Sequence, residues 1–350
     1  MRQRDIVKYQ IVFVMPIITI LIPIVTIVVA LSVINFGGCA MNKKVHIQEG
    51  FVNVKGIQLY YKVIGEGEPV VVLHGGPGLD HNHMLPLAEL ADRYKVVFYD
   101  QRTTGNSTGV PNADSITVNH FVQDLEEIRK QLKLGKIHLL GYSWGAGLAM
   151  FYSIKYPDNL KTLTLLGCGG ASTEYFGEHF ENIQKKTSQE DRLAMKKIEQ
   201  SEAFKDRELE AFTKYFQIAV KPLFYDQALA ERVIFTYGDN TPKHQQAVGE
   251  LLMKDLVGFD IYDQLSSINC PTLIIQGDSD PSPCEGTYKV HKHIEGSKVI
   301  FLPNTGHFIL HESPEEFFAI MRKFLKDDKS VRTSIPEEIE KRLESVSYQN

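Results

Sequence analysis

An α/β fold with a mostly parallel eight-stranded sheet, a helical lid insertion and an N-terminal membrane-anchoring helix is what this chain of 350 residues predicts. Three observations lead there. Short apolar bursts of the buried-strand kind alternate with stretches whose apolar residues recur at helical spacing, the pattern of a parallel sheet covered on both faces. One long region, from about Ala171 to Tyr262, is charged and helical and interrupts that alternation. An apolar run precedes all of it. Hydrophobic residues make up 43% and charged ones 23%, ordinary for a globular enzyme, and the net charge of -5 argues against a nucleic-acid-binding surface.

The run from Ile11 to Ile34 is uncharged and 24 residues long, interrupted by Pro16, Pro23 and a few hydroxyls. A helix of about 20 residues crosses a bilayer. Arg2, Arg4 and Lys8 precede the run, which places the N-terminus in the cytoplasm and the rest of the chain outside. Behind it, Phe36-Gly37-Gly38-Cys39 resembles a bacterial lipoprotein cleavage box, so a lipid on Cys39 is the alternative to an uncleaved anchor. Either way the protein is expected to be tethered to a membrane.

The core elements follow in order. Val45–Val54 and Gln58–Ile64 alternate as two antiparallel strands joined near Lys55-Gly56, and Pro69–Leu73 and Lys95–Tyr99 are buried bursts. Between Thr117 and Leu134, Phe121, Leu125, Ile128 and Leu132 keep helical spacing. Lys136–Leu140 reads as a strand, Ala146–Tyr152 as a helix, and Lys161–Leu166, Thr272–Gln276 and Lys298–Leu302 as further strands, the last followed by a helix over Pro314–Phe324. A short helical pattern through Ile335, Ile339 and Leu343 closes the chain. The expected division is therefore 1–44 anchor or lipoprotein-type signal, 45–170 and 266–328 the two parts of the core, 171–265 a helical lid, and 329–350 a tail.

Of the four cysteines (Cys39, Cys168, Cys270, Cys284), too few for a disulfide framework, Cys168 and Cys270 border expected strands and read as core residues. Cys284 falls in an expected loop, which leaves a pairing with Cys270 open. His81 and His83 lie near the expected lid mouth without a matching ligand cluster, and His291 and His293, two apart on a helix, are expected to face solvent. No metal site and no cofactor are expected.

Chemistry concentrates at Gly141-Tyr142-Ser143-Trp144-Gly145, a Gly-x-Ser-x-Gly string where a strand turns sharply into a helix. Such a turn forces the serine into a strained conformation that lifts its hydroxyl out of the sheet, and side chains at the flanking glycines would collide with the neighbouring strand and helix. A serine hydroxyl is a poor nucleophile at neutral pH and needs a base, and the base needs an orienting acid. After later strands come Gly277-Asp278-Ser279-Asp280 and Pro303-Asn304-Thr305-Gly306-His307. His307 is the expected base. Asp280 is preferred over Asp278 as its partner, because Asp278 stands nearer the strand and is better placed to bond the local turn. The backbone N–H groups of Trp144 and of Gly76, in the loop His74-Gly75-Gly76-Pro77-Gly78, are the expected oxyanion donors.

The strings His74–Gly78, Asp100-Gln101-Arg102-Thr103-Thr104-Gly105-Asn106-Ser107 and Gly141–Gly145 give the chain a resemblance, over about Val45 to Lys326, to the α/β-hydrolase superfamily and within it to the proline iminopeptidase-like group. The order Ser143, Asp280, His307 is that superfamily's triad order. By the same resemblance, Asp100-Gln101-Arg102 is a structural turn. The resemblance implies a serine hydrolase acting through an acyl-enzyme, most simply an aminopeptidase that releases N-terminal proline or another small residue from short peptides. Two departures stand out. Family members bind the substrate's amino group with glutamates, one of them in some members directly after the triad aspartate, where this chain has Pro281. Many also carry tryptophans beside the lid glutamate, whereas the only tryptophan here is Trp144. Glu174 and Glu208 are the lid carboxylates proposed to bind substrate, together with Gly75. A carboxylesterase or lactonase on small acyl substrates is the alternative activity, and a non-catalytic membrane-tethered protein the alternative of another class.

Overall fold

Each apolar burst forms a strand, and its period of two sends alternate side chains into cores on opposite faces of the sheet. In the computed structural model, which describes residues 46–347, the strands are β1 (Ile47–Val54), β2 (Ile57–Ile64), β3 (Glu68–Leu73), β4 (Tyr94–Tyr99), β5 (Ile137–Tyr142), β6 (Leu160–Leu166), β7 (Thr272–Gly277) and β8 (Lys298–Leu302). Val71 and Leu73 of β3 and Val299 and Phe301 of β8 enter one core, while Val70, Val72, Ile300 and Leu302 enter the other. The strand order is β1-β2-β4-β3-β5-β6-β7-β8. β1, β2 and β4 pair antiparallel, and every later pair is parallel. The hairpin at Lys55-Gly56 has both residues at positive φ, 50° and 91°, the signature of a two-residue turn that matches strand twist.

Helix α1 (Val118–Gln131) starts where the Thr117 side chain accepts from the His120 N–H, a standard cap, and packs on the sheet with α2 (Trp144–Lys155). Between β6 and β7 lie α3 (Phe176–Lys186), α4 (Gln189–Glu199), α5 (Glu202–Lys205), α6 (Leu209–Ala219), α7 (Gln227–Ala230) and α8 (Asn240–Asp255), with no strand among them. This insertion has a small core of its own, in which Phe212, Val220, Phe224, Phe235 and Tyr237 gather around Phe308. The remaining helices are α9 (Cys284–His293), α10 (Ile309–Glu312), α11 (Pro314–Phe324) and α12 (Glu337–Ser347).

The structure departs from the sequence reading in several places. A 3₁₀ segment, His81–Asp92, was not anticipated; Pro86 sits inside it and its apolar residues Met84, Leu87 and Leu90 are buried. Cys284 is not in a loop but opens α9, buried, and Cys168, Cys270 and Cys284 are all free thiols, so no Cys270–Cys284 bridge exists. His291 and His293 are half-buried rather than solvent-facing: one is hydrogen-bonded to Ser297 Oγ (2.8 Å) and the other to the Lys289 carbonyl (2.7 Å). Among the described residues no helix is long and apolar enough to cross a membrane. The expected anchor at Ile11–Ile34 and Cys39 lie outside the described residues.

Candidate active site

Ser143 closes β5 and opens α2 with φ 56° and ψ -121°, a strained backbone for a residue with a side chain. The geometry explains its neighbours. A Cβ at Gly141 would collide with the Gly145 carbonyl oxygen, and one at Gly145 with the carbonyl oxygen of Leu73 on the adjacent strand. The Ser143 N–H donates to the Leu166 carbonyl at the end of β6 (2.8 Å), which fixes the turn to the sheet.

Asp280 follows β7, His307 follows β8, and the two meet: Nδ1 of His307 lies 2.6 Å from Oδ2 of Asp280, both side chains buried. The other carboxylate oxygen accepts from the Ser282 N–H (2.8 Å). Asp278 does what its position suggested, accepting from the N–H groups of Asn304 (3.1 Å) and Thr305 (3.3 Å) within the local turns. Burial disfavours the Asp280 charge, but the adjacent His307 and the Ser282 N–H outweigh it and hold the carboxyl below its ordinary pKa. Burial likewise favours a neutral His307, yet Asp280 prevails and raises the imidazole above its ordinary value. The His307 backbone is tied down too. Its N–H donates to the Leu223 carbonyl (2.7 Å), its carbonyl accepts from the Tyr142 hydroxyl (3.1 Å), and its ring packs on Tyr142 with centroids 5.0 Å apart. Glu312 accepts from the Gly306 N–H beside it (2.9 Å) and from the Tyr225 N–H of the insertion (2.7 Å).

A cavity of about 180 Å³ opens over Ser143. Gly76 and Trp144 line it, and neither backbone N–H has a hydrogen-bond partner among the described residues, the condition expected of donors left for an oxyanion. Gly167, which also lines it, backs the His307 ring: a Cβ there would lie 3.0 Å from Cε1. Gln101 links the two donor loops, since its amide nitrogen donates to the His74 carbonyl (3.0 Å) and its oxygen accepts from the Trp144 ring N–H (2.8 Å). Asp100 and Arg102 are structural in the same way. Asp100 receives His81 Nδ1 (2.7 Å), and Arg102 forms a buried two-pronged pair with Asp124 (2.6 and 2.7 Å).

Three expected substrate residues do not reach the cavity. Gly75 is buried behind it, with its N–H donated to His83 Nε2 (3.2 Å). Glu174 is half-exposed and paired with Lys289 (2.8 Å), and Glu208 is exposed at the start of α6. Neither glutamate is in the wall: Glu174 lies in the turn before α3, and Glu208 is the residue that precedes α6. The walls are instead Phe151, Tyr175, Phe176, Phe180 and Phe259, with Met253, Leu256 and His179. The one sequence signal for them was the spacing of Phe176 and Phe180, four apart and so on one face of α3. Phe151 comes from α2, Met253 from α8 and Phe259 from the loop beyond it, and nothing in the sequence links them.

A family model described as the alpha/beta hydrolase fold matches residues 68–314. A proline iminopeptidase of Saccharolobus solfataricus is 30% identical over 294 residues, 80% of this chain and 93% of the relative. One from Lactobacillus acidophilus is 30% identical over 296 residues, 80% of this chain and 99% of the relative. Among solved structures, a proline iminopeptidase of Mycobacterium smegmatis superposes with a TM-score of 0.59 at 26% identity, covering 80% of this chain and 98% of its own. A thermophilic esterase of Thermogutta terrifontis superposes with a TM-score of 0.61 over 81% of this chain and all of its own; at 24% identity that likeness is one of fold.

Proposed function

The chain belongs to the α/β-hydrolase family and, within it, to the proline iminopeptidases; it is a serine hydrolase, and on that footing we propose that it releases N-terminal proline or another small residue from short peptides. Ser143 is the nucleophile. His307, oriented by Asp280, takes the hydroxyl proton as Oγ attacks the substrate carbonyl, and the N–H groups of Trp144 and Gly76 hold the oxyanion. His307 then gives the proton to the leaving amine, and water repeats the sequence to free Ser143. The observation that carries this reading is the 2.6 Å His307–Asp280 pair together with a strained Ser143 that lines a cavity. No cofactor has a part in these steps.

A second reading, hydrolysis of small acyl esters, is favoured by one observation: among the described residues no carboxylate lines the cavity to receive a charged amino terminus. A substrate panel separates the two. With detergent-solubilised full-length protein, prolyl-arylamide turned over faster than acetyl or butyryl esters supports the peptidase, and the reverse order makes it an esterase. A serine-reactive fluorophosphonate should label the wild type and not Ser143→Ala; equal labelling of both would sink the enzyme assignment to Ser143.

We also propose that the protein is tethered to a membrane, with its catalytic part on the extracytoplasmic side, on the strength of the apolar run Ile11–Ile34 and the three basic residues before it. Membrane fractionation of full-length chain against chain lacking residues 1–44 tests this, and recovery of both in the soluble fraction rejects it. Cys39→Ala then separates lipidation from a retained helix.

A further inference from the structure

Besides the Ser143 hydroxyl and the Tyr175 phenol, which lies beside Glu174, few side chains of the cavity wall carry a polar group. The Trp144 ring N–H is donated to Gln101 (2.8 Å), and the Cys168 thiol lies against Thr287 Oγ1 (3.5 Å). The Ser282 hydroxyl is engaged with Nδ1 of His179 (3.0 Å). The other ring nitrogen of His179, Nε2, has no hydrogen-bond partner among the described residues although the residue lines the cavity.

His179 also stands close to the reacting groups. It reaches Ser282, whose N–H is held by Asp280, and Asp280 holds His307. The segment Gly167–Gly169, which starts directly after the Leu166 carbonyl that binds the Ser143 N–H, runs along the same wall; a Cβ at Gly169 would lie 3.2 Å from Ser282 Oγ. Ser143 and His179 thus line one small cavity, with the His307–Asp280 pair directly behind Gly167 and Ser282 of its wall. In a space of this size, the atom attached to the carbon next to an attacked carbonyl cannot lie far from it. Burial in this wall, together with the neighbouring His307, keeps the His179 imidazole below its ordinary pKa and so uncharged, Asp280 opposing this only in part.

Resting on the peptidase reading above, we propose that His179 is the specificity-determining residue of the site: it carries its proton on Nδ1, donates it to Ser282 Oγ, and offers Nε2 as acceptor to an N–H of the substrate's N-terminal imino group. The acyl part of the substrate is then a compact apolar ring or short chain held among Phe176, Phe180 and Phe259, with one polar nitrogen next to the carbonyl. This assigns to an uncharged imidazole the recognition that the carboxylates Glu174 and Glu208 were expected to perform.

The test compares acyl groups of the same shape with and without that nitrogen. The 4-nitroanilides and 4-nitrophenyl esters of proline and of cyclopentanecarboxylic acid are assayed with wild type, His179→Phe, His179→Gln and Glu174→Gln. Wild type is expected to prefer prolyl over the carbocycle by about tenfold in kcat/KM, the scale of one net hydrogen bond. His179→Phe should remove the preference while keeping turnover of the carbocycle. His179→Gln, which keeps a polar atom at the same reach, should restore part of it, and Glu174→Gln should leave it unchanged. A preference that survives in His179→Phe, or that is lost in Glu174→Gln instead, overturns the assignment. So does a wild type that does not distinguish the two acyl groups. If the esters show the His179-dependent preference while neither anilide is cleaved, the assignment stands and the peptidase reading falls.

Discussion

The residues at the strand ends and the residues of the insertion between β6 and β7 differ in how they are held. Ser143, Asp280 and His307 follow the buried strands β5, β7 and β8, whose parallel pairing fixes their register, and His307 is tied down further by its bonds to Leu223 and Tyr142. The cavity wall comes largely from the insertion, where α3 is held to the loop after β7 by hydrogen bonds from Asn182 and Lys186, and α8 packs on the sheet through Val248, Leu252 and Leu256. In the function proposed above, the first region carries the reaction and the second selects what enters. A parallel sheet positions chemistry with little dependence on the rest of the chain, while a helical insertion positions selectivity through contacts that can be repacked.

The comparison breaks most decisively at the strand ends. Ser143→Ala and His307→Ala are each expected to lower kcat by roughly four to six orders of magnitude with both variants still folded, because members of such a unit act together. Residual activity above about a hundredth of wild type, measured with enzyme purified away from host hydrolases, would move the nucleophile elsewhere. Next in size is Asp280→Asn, expected to cost about three to four orders of magnitude by presenting His307 in the wrong tautomer. Asp278→Asn, two residues away, should cost less than about tenfold, since it loses only acceptors for the Asn304 and Thr305 N–H groups. Equal losses in the two variants would mean that the turn, not the pair, is what matters.

In the insertion the expected effects are smaller and of another kind. Phe176→Ala and Phe259→Ala widen the cavity and should lower kcat/KM by roughly 10- to 100-fold, mostly through KM, with a shift toward bulkier acyl groups. A loss borne wholly by kcat would tie these rings to the chemistry and blur the division between the two regions. The pH profile sharpens it from the other side. His307 must be neutral to act as base, and Asp280 raises its pKa, so kcat/KM should fall about tenfold per pH unit below a midpoint lying above that of an ordinary imidazole. The stability term has the opposite sign. A group whose folded pKa is raised contributes fully below its unfolded value, about 6.5, and loses that contribution as pH rises through the folded one. The difference in melting temperature between wild type and His307→Gln should therefore shrink over the interval in which activity rises, and wall variants should leave that midpoint where it is.

Sequence legibility follows the same division. The eight strands, the elbow and the meeting of His307 with Asp280 rather than Asp278 were readable because each depends on residues near in sequence: an apolar burst, two glycines, the distance from a strand end. The 3₁₀ segment His81–Asp92 was not readable, since its polar histidines are buried only because Asp100 and Gly75 come to meet them from other loops. Gln101, which links the two loops offering oxyanion donors, passed as part of a turn for the same reason. The cavity aromatics were hidden more deeply. Phe151, Phe176, Met253 and Phe259 converge from four segments, and in the sequence each is one apolar residue among many.

The smallest expected effect concerns a residue that looked informative in the sequence. Glu208 stood out as a carboxylate in a region where this family places the acid that binds the substrate's amino group. The structure puts it at the exposed start of α6, outside the cavity wall. Its side chain accepts no capping hydrogen bond there, so little is lost when it is removed. Glu208→Ala is therefore expected to keep kcat/KM for prolyl-arylamide within about twofold of wild type, as exposed substitutions away from special features do. The informative readout is the ratio of prolyl to cyclopentanecarbonyl turnover rather than the rate alone. If that ratio collapses in Glu208→Ala while His179→Phe preserves it, α6 must move over the site during turnover. The insertion would then select substrates by closure, and the static wall would no longer describe what enters.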